Sequence, residues 1–425
     1  MDILREDVTQ LEAVIGLILG AAGLAVTLYF GRIPLKQYRE RQSVDRFLRT
    51  RRFMKQATSG LRARAVVEHR LSIPEPEMPV IALPNWVLKQ PLPIELLEFD
   101  LSPATDRAPN SSNDIYQSFR RYLPINASGE RIARYHEAVS MFDAPKNWFD
   151  AVSYCIRAVR VSAGHGVTLS LGASRYWEGF DATQSLSHEA AHLYLKTSGR
   201  KITGKLRRSL GDPLDFTRRE CPSGFATLTI RRGAAGATFY LHRRDERVAT
   251  AQNRTSVVPA GEFQPSDDSR YATVQDLDIW RSIMREYAEE FLGLEEARVR
   301  RGAPIDYLHE SPYKELEQAK RAGTVRLFVL GFGVEPLNWK FTIQTVCIFD
   351  DQVFDQIFSE MVPENAEGFF ELQTLHRNNL LPFGGWPFDQ ETVEGYLSDE
   401  EPGSTSLLAL ALAWKHREAL DLDYS

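Results

Sequence analysis

Between Ala13 and Phe30 the chain carries no charged residue, and Glu12 and Arg32 bracket the run. Eighteen helical residues rise about 27 Å at 1.5 Å each, close to the hydrocarbon thickness of a bilayer. A helix satisfies its own backbone polar groups, which is the condition lipid imposes on any spanning segment. A core helix that opens a soluble fold is expected to keep a polar face, and this run has none. A cleaved signal peptide needs a basic leader, whereas Met1–Glu12 holds four acids against Arg5. Residues 13–31 are therefore expected to span a membrane once, behind a short head at 1–12.

The far flank sets the orientation. Arg32, Lys36, Arg39, Arg41, Arg46, Arg49, Arg51, Arg52 and Lys55 face only Glu40 and Asp45. The positive-inside rule then puts the N-terminus outside and the body in the cytoplasm, at the inner face of a plasma membrane. Taking −3 for the head and +7 for this flank from the chain's −6 leaves −10 on residues 56–425. The body is acidic, so the basic segment, residues 32–72, is expected to meet anionic lipid headgroups rather than nucleic acid. Gly16 and Gly20 form a small-xxx-small pair that could let two anchor helices pack as a homodimer. Cys155, Cys221 and Cys347 are scattered without metal-ligand spacing, which fits a reducing compartment rather than a disulfide framework.

Six prolines between Pro74 and Pro93 interrupt regular structure, so residues 73–115 read as an extended connector or an arm lying on the fold. Residues 116–218 read as an α/β region, with helices over Ile132–Met141, Asp150–Val159 and Ser185–Lys196 and a strand at Val167–Leu171. Beyond it, Ala226–Arg231 and Ala237–His242 flank a Gly-Ala-Ala-Gly turn and predict a hairpin. Ser256–Val258 is a third strand, and a helix runs from about Val274 to Leu292. Two long apolar runs, Val325–Val334 and Phe341–Phe349, precede helices at Val353–Met361, Glu391–Leu397 and Ser406–Leu420. The fold class expected is α/β, a mixed sheet between helices.

Two strings carry candidate chemistry. His188-Glu189-Ala190-Ala191-His192 fits H-E-x-x-H, in which imidazoles four apart share a helical face and hold zinc while the glutamate acts as base. A catalytic zinc needs a third protein ligand, and none stands at a familiar spacing. The competing reading is an amphipathic surface helix covered by Leu186, Ala190, Leu193 and Leu195. The second string is Arg285-Glu286-Tyr287-Ala288-Glu289-Glu290. Glu286, Glu289 and Glu290 stand at i, i+3 and i+4, crowding three carboxylates on one face. A hard cation such as Mg²⁺ or Mn²⁺ would relieve that repulsion and keep waters for a phosphorylated guest. Arg285 could pair with Glu289 one turn on.

This second string resembles the core of the Nudix box, Arg-Glu-aliphatic-x-Glu-Glu-x-Gly. The surrounding order is similar too: Leu241-His242-Arg243-Arg244-Asp245, then Val257-Val258-Pro259-Ala260-Gly261, then the acidic helix. Pro259–Pro265, Asp278–Arg281 and Ala413–Arg417 look more narrowly like divergent bacterial Nudix-like domains of regulators and of nucleotide-signalling antiphage systems. The resemblance covers about residues 219–421. It implies a Nudix-like α/β/α sandwich with the additional N-terminal α/β region in front of it. Glu286, Glu289 and Glu290 would hold Mg²⁺ or Mn²⁺, Glu289 or Glu290 would serve as base, and Arg285 would support them. His242, Arg243, Arg244 and Gly261 would contact a nucleotide or nucleoside-diphosphate derivative. The chain departs from the pattern in places. Gly261 stands twenty-four residues before Arg285, Tyr287 takes an aliphatic position, Leu277 falls where an upstream glutamate belongs, and Gly293 comes one residue late. These changes leave two readings open, a pyrophosphohydrolase and a non-catalytic nucleotide sensor or defence effector signalling to its membrane helix.

Overall fold

The computed structural model describes residues 36–56, 58–69, 80–102, 113–145, 148–162, 166–244, 255–295, 304–364, 368–370, 384–398 and 404–423. The expected membrane span, residues 13–31, and the Gly16/Gly20 pair lie outside these residues. Among the described residues no helix is long and apolar enough to cross a membrane.

The strands in chain order are β1 (Val87–Pro93), β2 (Leu97–Ser102), β3 (Val152–Ser162), β4 (Gly166–Arg175), β5 (Ser223–Gly233), β6 (Gly236–Phe239), β7 (Leu241–Arg244), β8 (Thr255–Val257), β9 (Ala260–Glu262), β10 (Val325–Val334), β11 (Phe341–Asp350), β12 (Gly368–Phe370) and β13 (Trp386–Pro387). A seven-stranded mixed sheet takes the order β1-β10-β11-β5-β6-β13, with β9 also on β5. Its centre is the parallel pair β11 and β5, in register from Phe341 against Ser223 to Asp350 against Arg232. Strands buried on both faces are largely apolar, and β10 and β11 are, although β11 also buries Thr342, Gln344 and Thr345. The predicted hairpin is present as β5 and β6, closed at Gly233 and Gly236; Gly236 has φ +122°, which explains a glycine there.

Helices cover both faces of this sheet. On one side lies α12 (Ser404–Lys415), against β5, β10 and β11. Leu408, Leu410 and Leu412 are fully buried, each contributing about 1.5–3 kcal/mol of apolar burial. On the other side lie α8 (Ile279–Glu286), α9 (Tyr313–Ala322) and α10 (Asp351–Ile357). There Tyr287, Phe291, Phe349, Phe354 and Phe358 form one aromatic cluster. The mixed α/β class read from the sequence is therefore present, with helices on both faces of the sheet.

The N-terminal part differs from expectation in two ways. Residues 150–159 are not helical: β3 pairs antiparallel with β4, which pairs in turn with β2. The helix expected over Ser185–Lys196 begins nine residues earlier, as α5 (Tyr176–Lys196). The described part of the Pro-rich stretch lies on the fold, one of its two expected forms, with β1 as an edge strand paired to β10. Pro91 and Pro93 fit that edge, where a missing N–H leaves no ladder bond unmade.

This region shares the core of the main sheet. Tyr154 N–H donates to Phe263 O, and Ile156 N–H to Cys221 O. One buried cluster runs from Phe47 through Tyr135, Tyr154 and Leu186 to Phe225, Tyr287 and Phe349. The basic segment is helical, as α1 (36–56) and α2 (Thr58–His69), and it is docked rather than free. Phe47 and Leu61 are fully buried. Arg51 is buried too, donating to Asp143 at 2.6 Å and to the Tyr135 hydroxyl at 3.1 Å. The three cysteines are free thiols, all buried.

Candidate functional site

The acidic helix is built in pieces. The sequence suggested one helix over Val274–Leu292, but α7 (Arg270–Gln275) stops and α8 starts afresh at Asp278. The Asp278 side chain accepts the Trp280 N–H at 2.8 Å, a helix N-cap that the residue type could have announced. After Glu286 the helix widens into a π-turn, Tyr287–Phe291, a local form that recurs at functional sites.

β9 runs antiparallel to β5 with Gly261 opposite Phe225, and the Glu286 carboxylate lies directly over Gly261. A Cβ at that glycine would stand 2.0 Å from Glu286 Oε1, so only glycine permits this approach of carboxylate and strand. Glu286 and Glu289 are partly exposed, whereas Glu290 is buried and accepts the Ala260 N–H at 3.3 Å. The structure thus brings Gly261, Glu286 and Glu290 to one junction of β9 and α8. Among the described residues no group of three or more His, Cys, Asp or Glu side chains is gathered for a metal ion.

Arg285 makes a different set of contacts from the one its spacing suggested. Instead of a hydrogen bond to Glu289, it donates to the Tyr307 hydroxyl and the Gln264 carbonyl, both at 2.5 Å, and to Ser282 Oγ at 3.0 Å. Asp276, itself buried, lies 3.5 Å away. Burial opposes the Arg285 charge, but Tyr307, Asp276 and Glu289 outweigh it and hold the guanidinium above its usual pKa. Tyr287, where the resembling motif has an aliphatic residue, is fully buried yet satisfied, because its hydroxyl meets Thr229 Oγ1 at 2.8 Å. The sequence reading missed Asp276, Gln264, Tyr307 and Lys340. Lys340 stretches along Gly224 and pairs with Glu262 at 2.8 Å, next to Gly261.

The hairpin candidates are divided. His242 is turned into the core, its ring 5.4 Å from Phe370. Arg243 is exposed, and the Arg244 side chain lies outside the described residues. The alternation of a strand decides this split, since neighbouring side chains point to opposite faces.

The H-E-x-x-H string is on a buried helix, not the surface helix its pattern suggested. His188 is sandwiched by aromatic rings, stacked on Phe47 at 5.1 Å with the Tyr135 hydroxyl 3.3 Å from Nδ1. Burial drives its pKa well below the usual histidine value, helped by Arg51 and His192. His192 instead packs on Tyr122 at 4.9 Å. Glu189 accepts the Leu206 and Arg207 N–H groups, both at 3.0 Å, capping the start of α6 (Lys205–Leu210). A carboxylate committed to two backbone donors is not aimed at a hydrolytic water. The helical spacing was right, but each of the three residues serves packing or capping.

Compared with protein-family models and with curated proteins, the chain matches none.

Proposed function

We propose that the domain of residues 219–421 is a Nudix-like module that binds a nucleotide or nucleoside-diphosphate derivative together with Mg²⁺, as a sensor without efficient turnover. The observation that carries this reading is the seat of the partly exposed Glu286 carboxylate over Gly261, with Glu289, also partly exposed, three residues on. Mg²⁺ is commonly held through one or two carboxylates, its other positions filled by water and substrate phosphates. Glu286 and Glu289 suit that role, and the ion would neutralise the phosphates of the guest. Lys340 is a further cation beside Gly261. Glu290, fastened to the Ala260 N–H, supports the β9–α8 junction instead, which favours binding over hydrolysis.

Titration calorimetry of the full-length chain with ADP, GDP, UDP-glucose and ADP-ribose tests this, with and without Mg²⁺. The expected result is saturable, Mg²⁺-dependent uptake that Glu286→Gln and Glu289→Gln abolish, with no product. No uptake of any probe would overturn it. Release of phosphate or nucleoside monophosphate, lost in Glu290→Gln, would establish the pyrophosphohydrolase reading instead.

We further infer that residues 13–31 hold this module at the inner face of a plasma membrane as a single pass. Alkaline carbonate extraction should leave the chain in the membrane pellet, and its appearance in the supernatant would count against the anchor.

A further inference from the structure

We propose that α1, the turn at residues 120–131 and the C-terminal end of α5 together form one lipid-docking surface that seats the body flat on anionic phospholipid headgroups. The proposal is independent of the nucleotide reading and rests on the anchor inferred for residues 13–31.

Three elements far apart in sequence build this surface. α1 buries Ser43, Phe47, Thr50, Arg51 and Met54 and leaves Arg39, Arg41, Arg46, Arg49 and Arg52 exposed. The turn is bound to it: Ile125 N–H donates to Ser43 Oγ at 2.9 Å. The Lys36 side chain lies across Gly129, where a Cβ would come within 2.5 Å of Lys36 Cε. Within the turn, Arg120 donates to Arg131 O, and Arg131 to Arg121 O and Leu123 O. Arg121 covers Tyr122, and Tyr122 packs on His192 of α5, one turn before exposed Lys196.

The cations are therefore close neighbours, and the hydrogen bonds of Arg120, Arg121 and Arg131 go to carbonyls and to the Tyr122 hydroxyl rather than to acids. The acids on these segments, Glu40, Asp45 and Glu130, form no ion pair within the described residues, and neither do Arg46, Arg49, Arg120, Arg121, Arg131 or Lys196. The crowding is felt electrostatically. Burial first, then Arg46, Lys196, Arg121 and Arg49, lower the His192 pKa, and burial, Arg46 and Arg120 lower that of Arg131. A surface so charged on a chain of net charge −6 calls for an anionic plane. The occupant is a membrane because α1 follows the uncharged run Ala13–Phe30 after only a few residues. A bilayer holding that run would lie within reach of this face. Leu195, exposed beside Lys196, adds an apolar contact at its rim.

Hydrogen exchange of the full-length chain in nanodiscs tests this. Nanodiscs of phosphatidylcholine alone should add no protection to peptides 36–56, 119–133 and 190–200 beyond that of the fold, and a third of phosphatidylserine should slow exchange in all three. Raising salt should reverse the protection. Each basic residue near such a surface is worth roughly fivefold in partitioning. R46Q/R49Q/R121Q/K196Q should therefore weaken the docked state by at least about a hundredfold. All four side chains are exposed, and the wild-type salt and lipid series needs no variant. Equal exchange in the two lipids, or protection confined to 36–56, would overturn the composite surface. So would tighter binding of a single-stranded RNA than of phosphatidylserine vesicles by the same residues.

Discussion

Replacing Glu189 separates a structural carboxylate from a catalytic one. Its two oxygens take the Leu206 and Arg207 N–H groups, and the side chain is fully buried. Glu189→Ala leaves both donors without a partner in a dry site, at about 1–3 kcal/mol each. It also removes a favourable charge from beside Arg207, whose pKa burial has already lowered to about 10. Gly204 has no side chain to replace it, since its Cβ position is filled by the Glu189 carboxylate itself. The sum is about 2–6 kcal/mol. Unfolding entropy near 2.1 cal/mol/K per residue, over 425 residues, makes this a fall of roughly 2–7 °C if the chain unfolds as one unit. Glu189→Gln keeps one acceptor oxygen and should lose about half as much. Differential scanning calorimetry measures both, with metal analysis alongside. A midpoint unchanged within about 1 °C, or stoichiometric zinc that disappears on mutation, would refute the capping role.

Three further outcomes follow from the geometry. The His188 pKa is depressed in the fold, so below the unfolded histidine value near 6.5 the unfolded chain binds the extra proton. Stability is then whole above that pH and falls as pH drops through it, by up to about 1.4 kcal/mol per unit; His188→Phe should flatten the slope between pH 6.5 and 5 in urea titrations, and an unchanged slope would contradict this. Gly261→Ala must push the Glu286 carboxylate off the strand, and since that carboxylate is partly exposed, calorimetric stability should shift by less than about 1 kcal/mol. Mg²⁺-dependent nucleotide uptake by that variant should weaken at least about tenfold; equal affinity would detach Glu286 from binding. Tyr287→Phe should cost about 1 kcal/mol, and a double-mutant cycle with Thr229→Val should show coupling of about 0.5–1.5 kcal/mol, whereas strict additivity would deny the hydrogen bond.

The sheet was legible at β10 and β11 because both runs are mostly apolar, even though β11 buries Thr342, Gln344 and Thr345 among its hydrophobic residues. β3 was misread for a definable reason. Val152, Cys155, Ile156 and Val159 repeat at three and four, as on a helix, while a bulge between Ile156 and Ala158 breaks the alternation that would have marked a strand. The first half of α5 was missed because Asp181, Thr183 and Gln184 are polar but buried. Asp181 is held there by the His136 N–H at 2.7 Å and its Nδ1 at 2.9 Å, a partner forty-five residues away. At the candidate site, spacing put Glu286, Glu289 and Glu290 on one helical face, whereas the structure ends α8 at Glu286 and carries Glu289 and Glu290 in the π-turn that follows. What it could not supply was direction. Arg285 turns from Glu289 toward Asp276, Tyr307 and Gln264 because a buried guanidinium needs acceptors on several sides, and those come from loops before and after the helix.

The same tertiary contacts join α1 to the β9–α8 junction. Arg51 of α1 reaches Tyr135, Tyr135 reaches His188 of α5, and the neighbouring Glu189 caps α6. From α6, Arg207 donates to the Pro336 carbonyl and lies over the Trp339 ring at 4.8 Å, just before β11 begins. The next residue is Lys340, paired with Glu262 beside Gly261. This path is contiguous and buried for most of its length, but packing alone carries no coupling unless some element on it has two arrangements. The element best placed to have them is the Lys340–Glu262 pair, since phosphate on Lys340 would compete directly with the Glu262 carboxylate. Ligand-dependent loosening of Arg207 and Trp339 would then be felt at α1 through the α6 cap, and Lys340→Met should leave the two ends independent.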